Sequence, residues 1–281
     1  MAAPEFVAIG HVTLDRFGDE IRPGGAALYA AITADRLGLT AGILTSHADD
    51  FPLELIPPRI EVVSVPAAAT TTFEYTTPTA RRTMRVSGTA RPLGAADVPE
   101  DWQGAPLVLL APVLGEVDPD GIASAFTNPT VAAAAQGWLR SLGPGGAVEP
   151  SSWTPPEALL GGLQAIFLST EDVADRPSAA VDWFQRVPFG VLTAGRVGAL
   201  LYVNGERYEV RPRPAVERDP TGAGDVFAAT FLIRYHFDGD PWEAAAAAAC
   251  AGSLAVEAEG WTAVPDRAAL DEAIARYRDD D

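Results

Sequence analysis

Short apolar runs alternate with helical patterns along most of the chain, and this rhythm restricts the fold more than any other feature. Residues 6–12, 41–45, 107–111, 131–135, 165–169 and 191–194 read as buried strands. A helical pattern covers residues 25–37, and three more, over 223–237, 242–257 and 267–278, close the chain. Strands this short and this apolar belong to a parallel sheet with helices packed on it. In such a sheet a ligand sits beyond the carboxyl ends of the strands. Asp15, Glu171 and the segment 193–195 all fall there. One stretch breaks the rhythm: residues 70–75 and 82–87 are β-prone, and 76–80 supply a turn between them. They read as a hairpin outside the main sheet. With strand material around 13–21 they would form a small lid that excludes water from a bound substrate, the alternative being an edge hairpin with no such task. Residues 141–156, rich in Gly, Pro and Ser, read as a loop.

Composition removes several function classes. A chain of 281 residues with 48% hydrophobic content can bury a sizeable core and fits one large α/β domain with an appendage. A net charge of −18 argues against nucleic acid and anionic membranes as partners and points to a small molecule. One cysteine excludes an intramolecular disulfide, residues 1–6 lack a basic region leading into an apolar stretch, and no apolar run reaches membrane-spanning length. The expectation is a soluble cytoplasmic protein. All 20 basic residues are arginine. With no lysine, a P-loop, a Schiff base and a lysine–glutamate kinase pair are excluded. His11, His47 and His236 stand apart, so no zinc cluster has its ligands at useful spacing.

One loop carries chemistry. Residues 219–227 read Asp-Pro-Thr-Gly-Ala-Gly-Asp-Val-Phe and run straight into an apolar helical pattern. Gly222 and Gly224 let backbone N–H groups approach an anion, and the helix that follows offers unpaired donors and the positive end of its dipole. Asp225 would stand beside the bound phosphate, where its obvious task is to take the proton from a hydroxyl attacking a phosphorus atom. An Asp in the first helical turn is also an ordinary helix-start residue, so the loop alone leaves a structural reading open. Phe227 stands where a dinucleotide fingerprint needs a small residue, and that alternative fails.

A second loop and several single positions complete a pattern. Pro23-Gly24-Gly25-Ala26-Ala27-Leu28-Tyr29-Ala30 is followed by Arg36-Leu37-Gly38, and Gly10 to Asp15 closes the first strand. Glu171 follows the strand ending at Ser169, and Leu192-Thr193-Ala194-Gly195 ends another. Together with the 219–225 loop these segments resemble, in order and over nearly the whole length, the ribokinase/PfkB carbohydrate kinase family, in a branch similar to inositol kinases. The resemblance implies a ribokinase-like three-layer α/β/α domain over residues 1–281, with a mostly parallel sheet and a small β lid from segments near 13–22 and 70–90.

It also implies roles. Asp225 would be the general base, with the amides of Gly222, Ala223 and Gly224 as an anion hole. Asp15, Gly24 and Gly25 would hold substrate hydroxyls, and Glu171 would act on Mg²⁺ through water, with the adjacent Asp172 open to a swapped role. Thr193, Gly195, Thr221, Cys250 and Ser253 would line the ATP. Asp219 and Thr221 match positions that form a monovalent-cation loop in potassium-activated members, which extends the implied cofactors to K⁺. The lid would be the surface for a homodimer.

Three departures stand out. Tyr29 replaces the asparagine of many sugar kinases, where its ring would stack on a substrate or turn into the core, and Leu168 replaces the first residue of the family's N-x-x-E motif. Residues 136–140, Gln-Gly-Trp-Leu-Arg, differ from the usual D-P-N type segment and offer Arg140 as a phosphate clamp. The implied activity is ATP-dependent phosphorylation of a hydroxyl on a small polyol: a sugar, a cyclitol or a nucleoside. The rival is a catalytically quiet protein that senses a polyol or nucleotide on the same fold.

Overall fold

The computed structural model describes residues 2–75 and 84–279. The turn expected at 76–80 and the start of the strand expected at 82–87 lie outside them. The first half of the chain supplies strands β1 (Phe6–Ile9), β2 (Thr13–Phe17) and β3 (Glu20–Gly24), helix α1 (Ala26–Arg36), and strands β4 (Ala41–His47), β5 (Glu61–Pro66), β6 (Thr71–Tyr75), β7 (Met84–Gly88), β8 (Leu107–Leu110) and β9 (Thr130–Ala134). A short hairpin follows, β10 (Arg140–Leu142) and β11 (Val148–Pro150), then α2 (Glu157–Gly162), β12 (Leu163–Ser169), α3 (Pro177–Phe184) and β13 (Phe189–Thr193). The chain ends with β14 (Ala199–Val203), β15 (Glu206–Val210), α4 (Ala223–Asp238), α5 (Pro241–Ala255) and α6 (Arg267–Asp279).

Nine strands form the main sheet in the order β15-β14-β13-β12-β9-β8-β1-β4-β5. Pairing is parallel from β13 through to β5 and antiparallel only at the β13-β14 and β14-β15 edge. That antiparallel edge is a hairpin absent from the strand pattern expected above. Its turn is Asn204-Gly205, both with positive φ, at 50° and 83°. Such a turn matches the strand twist, and Asn-Gly is the residue pair it favours.

Alternation along β1 separates two cores. Phe6 and Ala8 pack with the helical face that holds α1, α4, α5 and α6, while Val7 and Ile9 join Trp102, Val108 and Phe184 on the opposite face. That second face carries the short α2 and α3 and many irregular turns, so the three layers are unequal in helix content. A separate four-stranded sheet, ordered β3-β2-β6-β7, stands beside the carboxyl ends of the main strands, with β2 leading into it from β1. The expected 141–156 loop contains the β10-β11 hairpin, and Arg85 of β7 bridges to Ala147 in its turn. Among the described residues no helix is long and apolar enough to cross a membrane.

Candidate active site

The loop before α4 folds as its glycines require. Gly222 caps the helix in the left-handed region, φ 79°, and a Cβ there would run into the ring of Tyr29. Only glycine meets both conditions without strain. The N–H groups of Gly222 and Gly224 have no hydrogen-bond partner among the described residues, whereas the Ala223 N–H lies 3.3 Å from Pro220 O. Two of the three expected anion-hole amides are therefore open, and the third is turned into the loop. A Cβ on Gly224 would meet nothing within 4 Å, so open space lies in front of that position.

Asp219 braces the start of the loop. Its Oδ1 accepts the Thr221 N–H at 3.0 Å and its Oδ2 the Gly260 N–H at 3.1 Å. Arg22 of β3 brings Nη1 to 3.5 Å from Asp219 Oδ2 and also bonds Glu20 and Glu259. A fixed guanidinium thus stands beside the carboxylate that the resemblance assigns to a monovalent-cation loop.

Asp225 occupies the first turn of α4 and is buried. Burial pushes its carboxyl up to about 7, opposed by the positive charge of Arg140 and by a hydrogen bond from Gln136, and reinforced by the negative charges of Asp172 and Asp15. Gln136 Nε2 donates to Asp225 Oδ1 at 3.1 Å, and Gln136 Oε1 accepts from Arg140 Nη2, also at 3.1 Å. Arg140 also donates to Val113 O at 3.2 Å. A carboxyl held near neutrality is half ionised at working pH, which suits proton abstraction.

Asp15 sits on β2, buried, with Oδ1 accepting from Thr13 Oγ1 at 2.9 Å. Gly24 pairs with Thr13 across β2-β3, and a Cβ there would collide with the neighbouring Asp15 carboxylate. Gly25, φ 104°, starts α1 in a backbone region that side chains avoid. Tyr29 is 3% exposed. Its ring packs on Gly222, so the stacking surface considered for a substrate faces the core. Burial first, then the carboxylates of Asp219, Asp15 and Asp225, hold the phenol in its protonated form.

Other expected positions fall apart from this group. Glu171 is exposed, without a hydrogen bond among the described residues. Asp172 instead accepts from Ser169 N at 2.8 Å and Ser169 Oγ at 2.7 Å, and its charge reaches Asp225. A Ser-x-x-Asp pair thus stands one residue on from the place where an N-x-x-E motif was sought. Cys250 is fully buried in the helical layer, with its thiol pushed up to about 11 by burial, so it does not face a ligand in this packing. Ser253 turns its hydroxyl back onto Ala249 O at 2.7 Å. Thr193, half-buried, ends β13 with its hydroxyl 3.3 Å from Leu168 O, and Gly195 is exposed just beyond it. Gln136 was not among the expected site residues. The available signal was its place just after the strand pattern at 131–135, where the carboxyl ends of parallel strands gather a ligand site.

This arrangement can be set against known proteins. Residues 165–267 match the model of the pfkB family carbohydrate kinases. That match contains the 219–225 loop and Asp225. It is 33% identical over 153 residues to an inositol 3-kinase of Zea mays, a match that covers 53% of this chain but only 39% of the maize protein. A cytidine kinase of Thermococcus kodakarensis is 27% identical over 258 residues, covering 82% of this chain and 88% of that one. Among solved structures, a pyrophosphate-dependent kinase of the ribokinase family, complexed with a pyrophosphate analog and myo-inositol, superposes with a TM-score of 0.79 at 23% identity, covering 95% of this chain and 99% of its own. The fold is therefore the ribokinase fold.

Proposed function

We propose that this chain is a pfkB-type carbohydrate kinase that transfers a phosphoryl group from ATP to one hydroxyl of a small polyol, namely a sugar, a cyclitol or a nucleoside, with Asp225 as general base. The observation that carries the reading is the buried Asp225 carboxyl, pushed up to about 7, one residue after the open N–H of Gly224. The acceptor hydroxyl would give its proton to Asp225 as its oxygen attacks the terminal phosphorus. The amides of Gly222 and Gly224 would take the charge that develops on the phosphoryl oxygens. Asp15 and the bare backbone at Gly24 and Gly25 would orient the other hydroxyls. The names of the relatives, which refer to inositol and cytidine, agree with a polyol acceptor.

Kinases of this family use ATP, typically with Mg²⁺. Among the described residues no group of three or more His, Cys, Asp or Glu is placed to hold a metal by itself. That fits Mg²⁺, which keeps its waters and binds through one or two carboxylates plus donor phosphates. Asp172 and Glu171 are the acidic residues that would hold it, and when bound it would neutralise charge on the donor. The four-stranded sheet would be the lid over the acceptor.

The test is product formation with a panel of sugars, cyclitols and nucleosides, each run with ATP and with pyrophosphate, because the solved relative named above is pyrophosphate-dependent. Phosphorylation of one acceptor, abolished in Asp225→Asn, is the expected result. Binding of polyol and nucleotide with no turnover on any acceptor would replace the kinase by the quiet sensor.

A further inference from the structure

We infer that Gln136, held in one orientation by Arg140, is a positioning residue that fixes the Asp225 carboxylate and leaves its Oδ2 as the oxygen that meets the acceptor hydroxyl. The inference rests on the reading of Asp225 as the base. Its evidence is the hydrogen-bond direction along a chain of four groups.

Arg140 has only donors, and its guanidinium is anchored at Val113 O, 3.2 Å away, in the segment after β8. The only end of the Gln136 amide that can face it is Oε1, and that contact is 3.1 Å. The NH₂ end is then forced toward Asp225, where Nε2 lies 3.1 Å from Oδ1. A flipped amide would set its oxygen against the carboxylate and its NH₂ against the guanidinium, which is repulsive at both ends. Arg140 therefore selects the orientation, and Gln136 passes the selection to Asp225. No other side-chain hydrogen bond reaches Asp225 among the described residues, so Oδ2 is the oxygen left for a substrate.

The direction also matters chemically. A fixed N–H donor favours the ionised carboxylate. It works against burial and against the negative charges of Asp172, at the end of β12, and Asp15, on β2. Arg140 acts in the same sense as the amide, and the Tyr29 phenol of α1, which stays protonated, adds no charge. The relay reaches Asp225 from the turn that follows β9.

A test follows the Asp225 carboxyl by ¹³C NMR titration of aspartate-labelled protein, with its signal assigned by its absence in Asp225→Asn. Gln136→Leu is expected to raise the titration midpoint by about one pH unit, since a hydrogen bond to a charged group is worth about that much. Gln136→Met, closer in shape, gives the same shift and guards against a folding defect in the first variant. Gln136→Glu, which sets a like charge at the site, raises the midpoint further. Arg140→Leu frees the amide to turn and raises it too.

In turnover, the acid limb of kcat should move upward with the NMR midpoint while KM for the phosphate donor stays fixed. A midpoint unchanged in Gln136→Leu and Gln136→Met overturns the relay whatever the turnover does. The base assignment fails separately, if Asp225→Asn keeps its turnover or the kcat limb ignores the midpoint.

Discussion

Replacing Asp225 by Asn should make the protein more stable while removing its turnover, and the gain should depend on pH in a defined way. The carboxyl moves from an ordinary 3.8 to about 7 on folding. The folded state therefore holds a proton that the unfolded state has lost between roughly pH 4 and pH 7, and stability falls as pH rises through that window. The shift of about three units, at 1.36 kcal/mol each, sets a ceiling of about 4 kcal/mol on the penalty above roughly pH 8. By the same linkage about 2 kcal/mol remains near pH 5, where the unfolded group is ionised and the folded one is not. Asn keeps the shape, accepts the Gln136 donor through its amide oxygen and carries no charge to desolvate. Even half the ceiling, about 2 kcal/mol, raises Tm by roughly 3 °C in a chain of this size. Thermal or urea unfolding of both proteins between about pH 5 and pH 8.5 reads the effect. A variant no more stable than wild type near pH 8, or a gain that does not shrink as pH falls, would refute the claim that burial holds this carboxyl out of its ordinary range.

The two loop glycines should separate folding from chemistry. Gly222→Ala should cost about 2 kcal/mol or more in chemical unfolding, because it combines a left-handed backbone with a collision against the Tyr29 ring. Gly224→Ala meets no protein atom, so its unfolding midpoint should hold or rise while turnover collapses as the methyl enters the space for the phosphoryl group. Asp172→Asn removes a negative charge from the surroundings of Asp225, and the acid limb of its pH–rate profile should move downward by less than about one unit; an upward move would contradict the charge arrangement. Arg22→Ala unties β3 from Asp219 and Glu259, with an expected stability loss of about 1 kcal/mol after solvent screening and a lower rate, part of which added guanidinium should restore. Absence of rescue would remove Arg22 from the positioning of the loop.

What the sequence disclosed and what it hid divide along a physical line. The parallel core was legible because each strand is a nearly continuous apolar run, and the 219–225 loop because only glycine tolerates its backbone. The β14-β15 hairpin stood outside that pattern although Asn204-Gly205 is a strong turn signal, because strand–helix alternation carries no mark of an antiparallel edge. Cys250 was placed at the ligand by resemblance, but a position on α5 does not say which face looks inward, and burial decides that only in three dimensions. The Ser169–Asp172 pair and the Gln136–Arg140 relay were hidden for a deeper reason. Both depend on contacts between side chains on different elements, and the relay joins residues 89 apart in sequence. Such contacts leave no periodicity and no motif. The glycine loop proposed to cradle the phosphate is therefore written in local sequence, while the charge state and surroundings of the carboxylate beside it are written in packing. Substitutions around Asp225 that leave the glycine loop intact should accordingly retune the pH range of this site without displacing it.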